Sequence, residues 1–342
     1  MTLRRPARHV SVKDVAARAG VSFQTTSKVL NGGGSVSEVT RARILQVASD
    51  LGYVPNLQAR SLVMQRTRTV GLVTGDLGDH NLGRFIDGAE QEARRQGYGV
   101  LMTGVEPEGS GTEYALPALM ERRVDGILIA APQMEEDRAV AHVLDRTLPV
   151  VSLHHVPGAG VSMVGSDDEM IGHLATQHLI GKGHRVIATV IGKPAREVTQ
   201  KRLRGYRHAL EDAGLTFDEV LVEAADGDIG AARLATLELL QRRPLITAIF
   251  AQSDTMAIGA LSALREREMG VPRDCAVIGC DDIDMAVYTV PTLTTIHVPF
   301  FEIGAQAMRL LIETVTTGAL TPRTVLLPVH LVVRESTQEP TR

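Results

Sequence analysis

Short apolar segments alternate with amphipathic segments of helical length along most of the chain, from about residue 69 onwards. TVGLVTG, YGVLMTG, DGILIAA and PVVSLH form a first set, and VSMVGSD, RVIATVIG, EVLVEA, TAIFAQ and CAVIGC form a second. Short apolar strands separated by helices are typical of parallel sheets covered by helices on both faces. Two such sets predict two α/β lobes.

Length and composition exclude several classes of protein. The chain has 342 residues, 44% hydrophobic and 22% charged, which predicts two or three globular domains. Because no apolar run approaches the roughly 18 residues of a membrane helix, we expect no membrane association. The N-terminal MTLRRPARHV lacks the apolar core of a signal peptide. Cys275 and Cys280 would lie about 16 Å apart on one strand, too far for a disulfide. These features predict a cytoplasmic protein.

Charge is distributed unevenly along the chain. Residues 1–68 contain eleven Lys and Arg against three Asp and Glu, a net charge of +8, and the remainder carries −12. A basic segment on an acidic body indicates a polyanionic partner bound at one end. An ordinary solvated surface is the alternative on charge alone, so the interpretation needs a second feature.

That second feature is a pattern of three short helices in residues 12–51. In SVKDVAARAG the apolar residues have helical spacing, Gly20 can end the helix, and Ser22 can cap a second helix, FQTTSKVL. A third predicted helix begins at Ser37. Two helices joined by a tight Gly turn form a helix-turn-helix, whose second helix here leaves polar side chains outward for base edges and phosphates. A helical domain without a DNA role is the alternative, which the +8 charge disfavours.

The segment VKDVAARAGVSFQTTSKVLNGGGSVSEVTRARILQVASDLGYVPN resembles the DNA-binding domain of the lac repressor (LacI/GalR) family almost end to end. That family has the pattern DVA..AGVS..T.S.VLN followed by V...TR..V...A..L.Y.PN. The resemblance implies that Phe23 and Gln24 occupy the recognition-helix positions that discriminate operator bases, and that Lys28 contacts a base. It assigns supporting polar and phosphate contacts to Ser22, Thr25, Ser27 and Asn31.

Residues 56–68 follow as a predicted hinge and linker. Asn56 can cap a short helix to about Val63, which is below the ~12–15 residues that make an isolated helix marginal and should form only when docked. The resemblance implies a hinge helix in the minor groove, with Leu62 wedged between central base pairs and Ala59 where two hinges pack. Unstacking costs a few kcal/mol, offset by contacts to bent DNA. An ordinary linker leucine is the alternative for Leu62.

Residues 69–342 carry no sequence signature of catalysis. We find no glycine fingerprint, P-loop, HExxH, CxxC or nucleophile elbow, so we expect no enzyme, cofactor or metal. His154–His155 is a weak metal candidate among scattered histidines. Two facing α/β lobes form a cleft at the carboxyl ends of their strands, which is where such sheets bind ligands.

The body resembles the two-lobe periplasmic-binding-protein-like core of the same family along its whole length. The motifs are DGILI, HLIGKGHRVIA, KRLRGYRHAL, SDTMAIGAL, VIGCDDIDMA, PTLTTIHVPFFEIGAQAMRLL and LLPVHLVVRES. The resemblance implies three crossings between lobes, with residues after about 293 returning to the first lobe and the last strands finishing the second.

The resemblance also implies the ligand residues. Arg202 matches an arginine that grips hydroxyls or a carboxylate, Asp281 an acidic residue that accepts from hydroxyls, and Phe300 an aromatic or apolar contact. Structural roles are the alternative for all three, and for Phe300 ordinary core packing is as good an interpretation.

Departures from the family pattern leave the ligand open. Ser253 stands where the family often has Asn, His154 stands where lac-type repressors have Asp, and the chain has no Trp. The loop TGDLGDHN offers Asp76, Asp79, His80 and Asn81 as polar contacts, or as solvated residues. A sugar or sugar derivative is the commonest family ligand, while a nucleobase or another small polar metabolite is compatible.

The first hypothesis is therefore an allosteric, dimeric DNA-binding repressor with three parts, residues 1–55, 56–68 and 69–342. Each dimer would bind a pseudo-palindromic operator, with strong salt dependence, and a small effector in the cleft would control it. A dimer is expected because the chain ends RESTQEPTR, without the leucine heptad of tetrameric members. The alternatives are a periplasmic-type solute receptor, which the head argues against, and an enzyme using Asp281 and Asp282 as a carboxylate pair. Whether the ligand releases or recruits the protein stays open.

Overall fold

A computed structural model of the chain describes residues 10–33, 35–54, 66–75, 78, 80–105, 112–135, 148–154, 156 and 161–338. The chain divides into two compact units, Met1–Thr67 and Arg68–Arg342. The predicted hinge residues 56–65 lie outside the described residues.

The first unit contains three helices, α1 (Val12–Ala19), α2 (Phe23–Leu30) and α3 (Glu38–Asp50). Ser11, Ser22 and Ser37 cap their N-termini. Between α1 and α2, Gly20 adopts φ 67°, a left-handed conformation that favours glycine. The three helices bury a small common core of Val15, Ala19, Val29, Ile44 and Ala48. The predicted helix-turn-helix is confirmed.

The second unit alternates strands and helices. Its strands are β1 (Thr69–Thr74), β2 (Gly99–Gly104), β3 (Ile127–Ala130), β4 (Val150–Ser152), β5 (Ser162–Ser166), β6 (Ile187–Ile191), β7 (Val222–Ala224), β8 (Ala248–Ala251), β9 (Ala276–Ile278), β10 (Thr295–His297), β11 (Thr324–Leu327) and β12 (His330–Val332). Its α-helices are α4 (His80–Arg95), α5 (Thr112–Glu121), α6 (Asp168–Gly181), α7 (Glu197–Asp212), α8 (Ile229–Arg242), α9 (Asp254–Glu266) and α10 (Phe300–Thr317). Short 3-10 turns include Pro132–Glu135 and Asp284–Val287.

Two parallel sheets organise this unit as two lobes. The first sheet has the order β11-β5-β4-β3-β1-β2, and the second has the order β7-β6-β8-β9. All pairings within these two sheets are parallel, with Leu72 opposite both Met102 and Leu128 in the first and Thr189 opposite Phe250 in the second. The predicted two-lobe α/β core is confirmed.

The chain crosses between the lobes after β5, along β10 and along β12. Strands β10 and β12 pair antiparallel to each other, and α10 packs on α4 of the first lobe. The last strands were expected to complete the second lobe. This is wrong for β11, which pairs with β5 at the edge of the first sheet. Only the segment from β12 onwards returns to the second lobe.

Glycines allow α6 and α7 to approach closely in the second lobe. A Cβ on Gly172 of α6 would lie 1.9 Å from the carbonyl oxygen of Arg202, and a Cβ on Gly205 of α7 would lie 1.9 Å from that of Glu169. Because no side chain separates the two backbones, α7 lies directly against α6. This packing fixes the position of Arg202.

Within the described residues, no helix is long and apolar enough to span a bilayer. Cys275 and Cys280 are both buried and free.

Candidate functional site

The outer face of α2 exposes the side chains for which the sequence predicts base contacts. Phe23 is 50% exposed, and Gln24 and Lys28 are also exposed. The opposite face buries Thr26, whose hydroxyl donates to the carbonyl oxygen of Ser22 at 3.1 Å, and Val29. The helix therefore packs on one side and leaves a polar and aromatic face available on the other.

The predicted supporting contacts surround this face. The Ser22 hydroxyl accepts a hydrogen bond from the Thr25 N–H at 3.2 Å and caps the helix. Ser27 is half-buried and Asn31 is exposed, with the Asn31 amide donating to the Ser27 hydroxyl at 3.5 Å. The three predicted hinge contacts, Asn56, Ala59 and Leu62, lie outside the described residues.

A cleft of about 660 Å³ lies between the lobes of the second unit. Residues that follow the carboxyl ends of strands form much of its wall. They include Gly75 after β1, Pro132 and Gln133 after β3, His154 after β4, Lys193 and Arg196 after β6, Asp226 after β7, Gln252 and Ser253 after β8, and Asp281 after β9. This is the position where open parallel sheets bind ligands.

Arg202 and Asp281 meet at the base of this cleft. Arg202 Nε donates to Asp168 Oδ1 at 3.0 Å, Nη1 donates to the Gln252 carbonyl oxygen, and Nη1 lies 3.9 Å from Asp281 Oδ1. All three side chains are largely buried, so the guanidinium is held between two carboxylates away from solvent. A buried charge needs such pairing, and the remaining N–H groups of Arg202 can donate to a ligand oxygen.

Asp281 lies in a strained loop that other groups hold in place. It adopts φ 116°, and Asp282 adopts φ 57°, both in the region that favours glycine. The Asp281 N–H donates to the Ile296 carbonyl oxygen at 2.8 Å, and the Asn81 amide donates to Asp281 Oδ2 at 2.9 Å from the first lobe. The loop therefore presents the Asp281 carboxylate towards both lobes.

Asp254 is a buried carboxyl behind this loop. Its Oδ2 accepts from the Ile283 N–H at 2.9 Å and its Oδ1 accepts from the Thr295 hydroxyl at 2.6 Å. Burial, followed by the neighbouring Asp281 carboxylate, raises the pKa of Asp254 to about 8. The group is therefore mainly protonated at neutral pH.

Ser253 and His154, which stand at predicted ligand positions, both line the cleft. Ser253 caps α9, with its hydroxyl accepting from the Met256 N–H at 3.2 Å, which leaves the hydroxyl proton able to bond a ligand. His154 Nδ1 lies 3.7 Å from Glu135 Oε1. Burial, followed by the charge of Arg196, lowers the pKa of His154 to about 4, so the imidazole is neutral at pH 7 and this contact is not an ion pair.

Phe300, a predicted ligand residue, is not among the residues that line the cleft. Phe300 is 7% exposed in the hydrophobic core, where it packs edge-on against Phe85 with ring centroids 4.9 Å apart. Phe85 lines the cleft in front of it. Asp76 lies outside the described residues, as do Asp79 and His155.

Several residues that line the cleft, or that contact its lining residues, were not identified from sequence. Gln133, Glu135 and Phe85 belong to segments whose letters show only helix or loop character, and nothing in that pattern indicates a cleft. Asp168 does have a signal, because it follows β5 in an acidic run, SDDE, but the run equally indicates a helix N-terminus. Its pairing with Arg202, 34 positions away, depends on the packing of α6 on α7.

The two adjacent carboxylates Asp281 and Asp282 have separate partners. Asp282 Oδ1 accepts from Arg334 at 2.6 Å and its Oδ2 lies 3.0 Å from His297 Nδ1. Since Asp281 contacts Arg202 and Asn81 instead, the pair does not share one reaction centre. Among the described residues, no cluster of His, Cys, Asp and Glu has the geometry of a metal site.

Comparisons with known proteins match both units. The family described as bacterial regulatory proteins, lacI family, matches residues 11–56, and the periplasmic binding protein-like domain matches residues 176–337. The ribose operon repressor of Escherichia coli strain K12 is 34% identical over 327 residues, which cover 95% of this chain and 99% of that protein. The HTH-type transcriptional regulator CelR of Thermobifida fusca is 36% identical over 346 residues, covering 96% and 98%.

Solved structures are similar over the same extent. A lac repressor dimer bound to operator and the anti-inducer ONPF aligns with a TM-score of 0.88 at 28% identity, covering 97% of this chain and all of that one. A complex of the transcriptional regulator CelR with cellobiose aligns with a TM-score of 0.74 at 34% identity, covering 96% of this chain and all of that one.

Proposed function

We propose a specific mechanism for this chain, which belongs to the lacI family of bacterial regulatory proteins. The protein represses transcription as a cytoplasmic homodimer. A small polar effector that binds in the inter-lobe cleft sets its affinity for the operator. Residues 1–55 bind DNA, residues 56–68 form the hinge and linker, and residues 69–342 bind the effector and dimerise. The ligand is bound and released unchanged.

The observation that carries this proposal is the exposed outer face of α2. Phe23, Gln24 and Lys28 make no contribution to the core of the first unit, and they project from a helix of the length and composition that fits the major groove. Ser22, Thr25, Ser27 and Asn31 supply polar contacts to the DNA backbone beside these bases. In the hinge, Leu62 enters the minor groove, Asn56 caps the helix and Ala59 lets the two hinges pack.

In the cleft, Arg202 and Asp281 are the principal effector contacts. A guanidinium that donates beside a carboxylate that accepts suits a ligand with hydroxyl groups, because each hydroxyl can both accept and donate. Ser253 and His154 add polar contacts from the two lobes. Relatives named for ribose and a structural neighbour bound to cellobiose support a sugar or sugar derivative.

The effector assignment is tested by a thermal-shift panel on the full-length protein with ribose, cellobiose, sugar phosphates and nucleobases. A ligand present at 100 times its dissociation constant stabilises the folded state by about 2.7 kcal/mol, which raises the unfolding midpoint. We expect a shift with a neutral sugar. A panel in which only nucleobases shift the midpoint would contradict the sugar class.

The site itself is tested by Arg202→Lys. Lysine keeps the positive charge between Asp168 and Asp281 but loses the planar fork, so we expect at least a tenfold loss of effector affinity with the fold retained. Arg204→Lys on the same helix is the matched control, because Arg204 is half-exposed and pairs with Glu169 outside the cleft. If the two substitutions reduced effector affinity equally, Arg202 would not be a specific effector contact.

A further inference from the structure

The N-terminus of α7 differs from those of the other helices in the second lobe. Helices α6, α8 and α9 are each capped by the side chain of their own N-cap residue, which is Asp167, Asp228 and Ser253 respectively. Helix α7 has Arg196 at the N-cap position, and this side chain makes no capping hydrogen bond. The first N–H groups of a helix need an acceptor, so α7 depends on one from elsewhere.

That acceptor comes from the opposite lobe. Glu135 ends the 3-10 turn after β3 of the first lobe, and its Oε2 accepts a hydrogen bond from the Glu197 N–H at 3.2 Å. The Glu135 side chain is 6% exposed, so the contact is shielded from water. A carboxylate at a helix N-terminus is also favoured by the helix dipole.

Two further side chains lie near Glu135 at this helix end. Its Oε1 lies 3.7 Å from His154 Nδ1, and Arg196 stands beside the same helix end. Burial, followed by the charge of Arg196, lowers the pKa of His154 to about 4, so the imidazole is neutral at pH 7 and its contact with Glu135 is not an ion pair. If the lobes separated, both Glu135 and the first turn of α7 would lose this contact and be exposed to water.

We propose that Glu135 is an inter-lobe latch that holds the cleft closed and thereby positions Arg202, which lies on α7 less than two turns after Glu197. The inference rests on the proposed function, since it assigns the regulation of the same cleft. It adds a contact between lobes that is separate from the one Asn81 makes with Asp281. Glu135 acts as a positioning residue and does not need to touch the effector.

The test measures closure and capping in the full-length protein without effector or DNA. Spin labels are attached at Glu90→Cys on α4 and Glu238→Cys on α8, two exposed positions on different lobes, while the native Cys275 and Cys280 are buried. Electron–electron distance measurements then compare wild type with Glu135→Ala. We expect the distribution of Glu135→Ala to broaden and move to longer distances, together with faster hydrogen exchange of the Glu197 amide.

Glu121→Ala is the matched control, because Glu121 is an exposed glutamate of α5 in the same lobe. Glu135→Gln keeps the size of the side chain and one acceptor oxygen, so it should fall between wild type and Glu135→Ala, and it replaces the alanine variant if that one does not fold. Unchanged distances in Glu135→Ala, with or without faster exchange at Glu197, would overturn the latch. Neither readout needs a bound effector, so a panel without hits would count against the effector assignment and leave the latch standing.

Discussion

At the scale of single residues, Gln24 is the side chain from which we expect most of the sequence discrimination. Its amide can form two hydrogen bonds with the edge of one base, and such a pair discriminates by about 1–3 kcal/mol. Contacts to phosphates position a protein on DNA without reading the sequence. Loss of the Gln24 amide should therefore affect specific binding far more than non-specific binding.

We expect Gln24→Ala to relax base preference at one position of each half-site while non-specific affinity stays nearly unchanged. Competition between selected and random duplexes measures both quantities. Gln46→Ala is the control, because Gln46 is exposed on α3 and bonds Asp50. A uniform loss of affinity over all sequences would show that Gln24 contacts the backbone only.

Asp254 provides a prediction about pH. Its pKa is about 8 in the folded state and about 3.9 in an unfolded chain. Between these values the folded protein keeps a proton that the unfolded chain has released, so this group makes the protein less stable as the pH rises, by about 1.4 kcal/mol per pH unit. Above pH 8 both states are ionised and the loss levels off.

Asp254→Asn has the shape of the protonated acid and can bond both Ile283 and Thr295 without titrating. We therefore expect the difference in unfolding free energy between variant and wild type to shift in favour of the variant from pH 5 to pH 8. Chemical denaturation at several pH values measures it. A difference that is constant over this range would mean that Asp254 is ionised throughout.

The sequence could predict functional residues that belong to a recognisable motif. It could not predict residues whose role depends on a partner that only the folded structure brings close. Arg202 and Asp281 were predicted from their motifs, and the structure brings them to the base of one cleft. Asp168 and Glu135 were missed, because their partners lie 34 and 62 positions away and are brought close only by helix and lobe packing. Phe300 was predicted as a ligand contact, but packing places Phe85 between it and the cleft.

At the scale of elements, the site depends on how closely α6 and α7 pack. Gly205→Ala would place a methyl group against the Glu169 carbonyl oxygen, and backbone atoms cannot yield as a flexible side chain can. We expect a destabilisation of about 1–3 kcal/mol, the usual cost of overpacking, together with weaker effector binding as Arg202 moves with α7. Thermal and chemical unfolding measure the first effect.

Gly181→Ala is the matched control for this substitution. Gly181 ends α6, and a Cβ there would meet no atom within 4 Å. Alanine should be neutral or slightly stabilising at that position, because it has the higher helix propensity. If both alanine variants behaved alike, close packing of α6 on α7 would not limit the stability of the second lobe.

Periodicity predicted the three helices of the first unit and nine strands of the second, which has twelve within the described residues, and it predicted no strand partners. The predicted helices of the first unit agree with α1, α2 and α3, because their apolar spacing and serine caps are local signals. Strand β11 was expected in the second lobe and lies in the first, beside β5. Strand pairing depends on which sheet edge is free after the chain has crossed between lobes, and no local pattern encodes that.

At the scale of the whole molecule, charge is distributed in agreement with the roles proposed for the two units, DNA binding by the first and effector binding by the second. The first 68 residues carry +8 and the rest carries −12. The basic part therefore attracts DNA while the acidic body is repelled by it, which orients the protein on a duplex before any base is contacted. A two-fold dimer of such chains presents two recognition helices to two half-sites.

The most direct measurement of this account is in vitro selection of random duplex DNA by the full-length protein, followed by sequencing. We expect an enriched motif with approximate two-fold symmetry, whose half-sites lie one helical turn or a multiple of it apart, since a symmetric dimer imposes its symmetry on the site. Enrichment of a single asymmetric half-site would contradict the dimeric arrangement. The absence of any enriched sequence would contradict operator recognition itself.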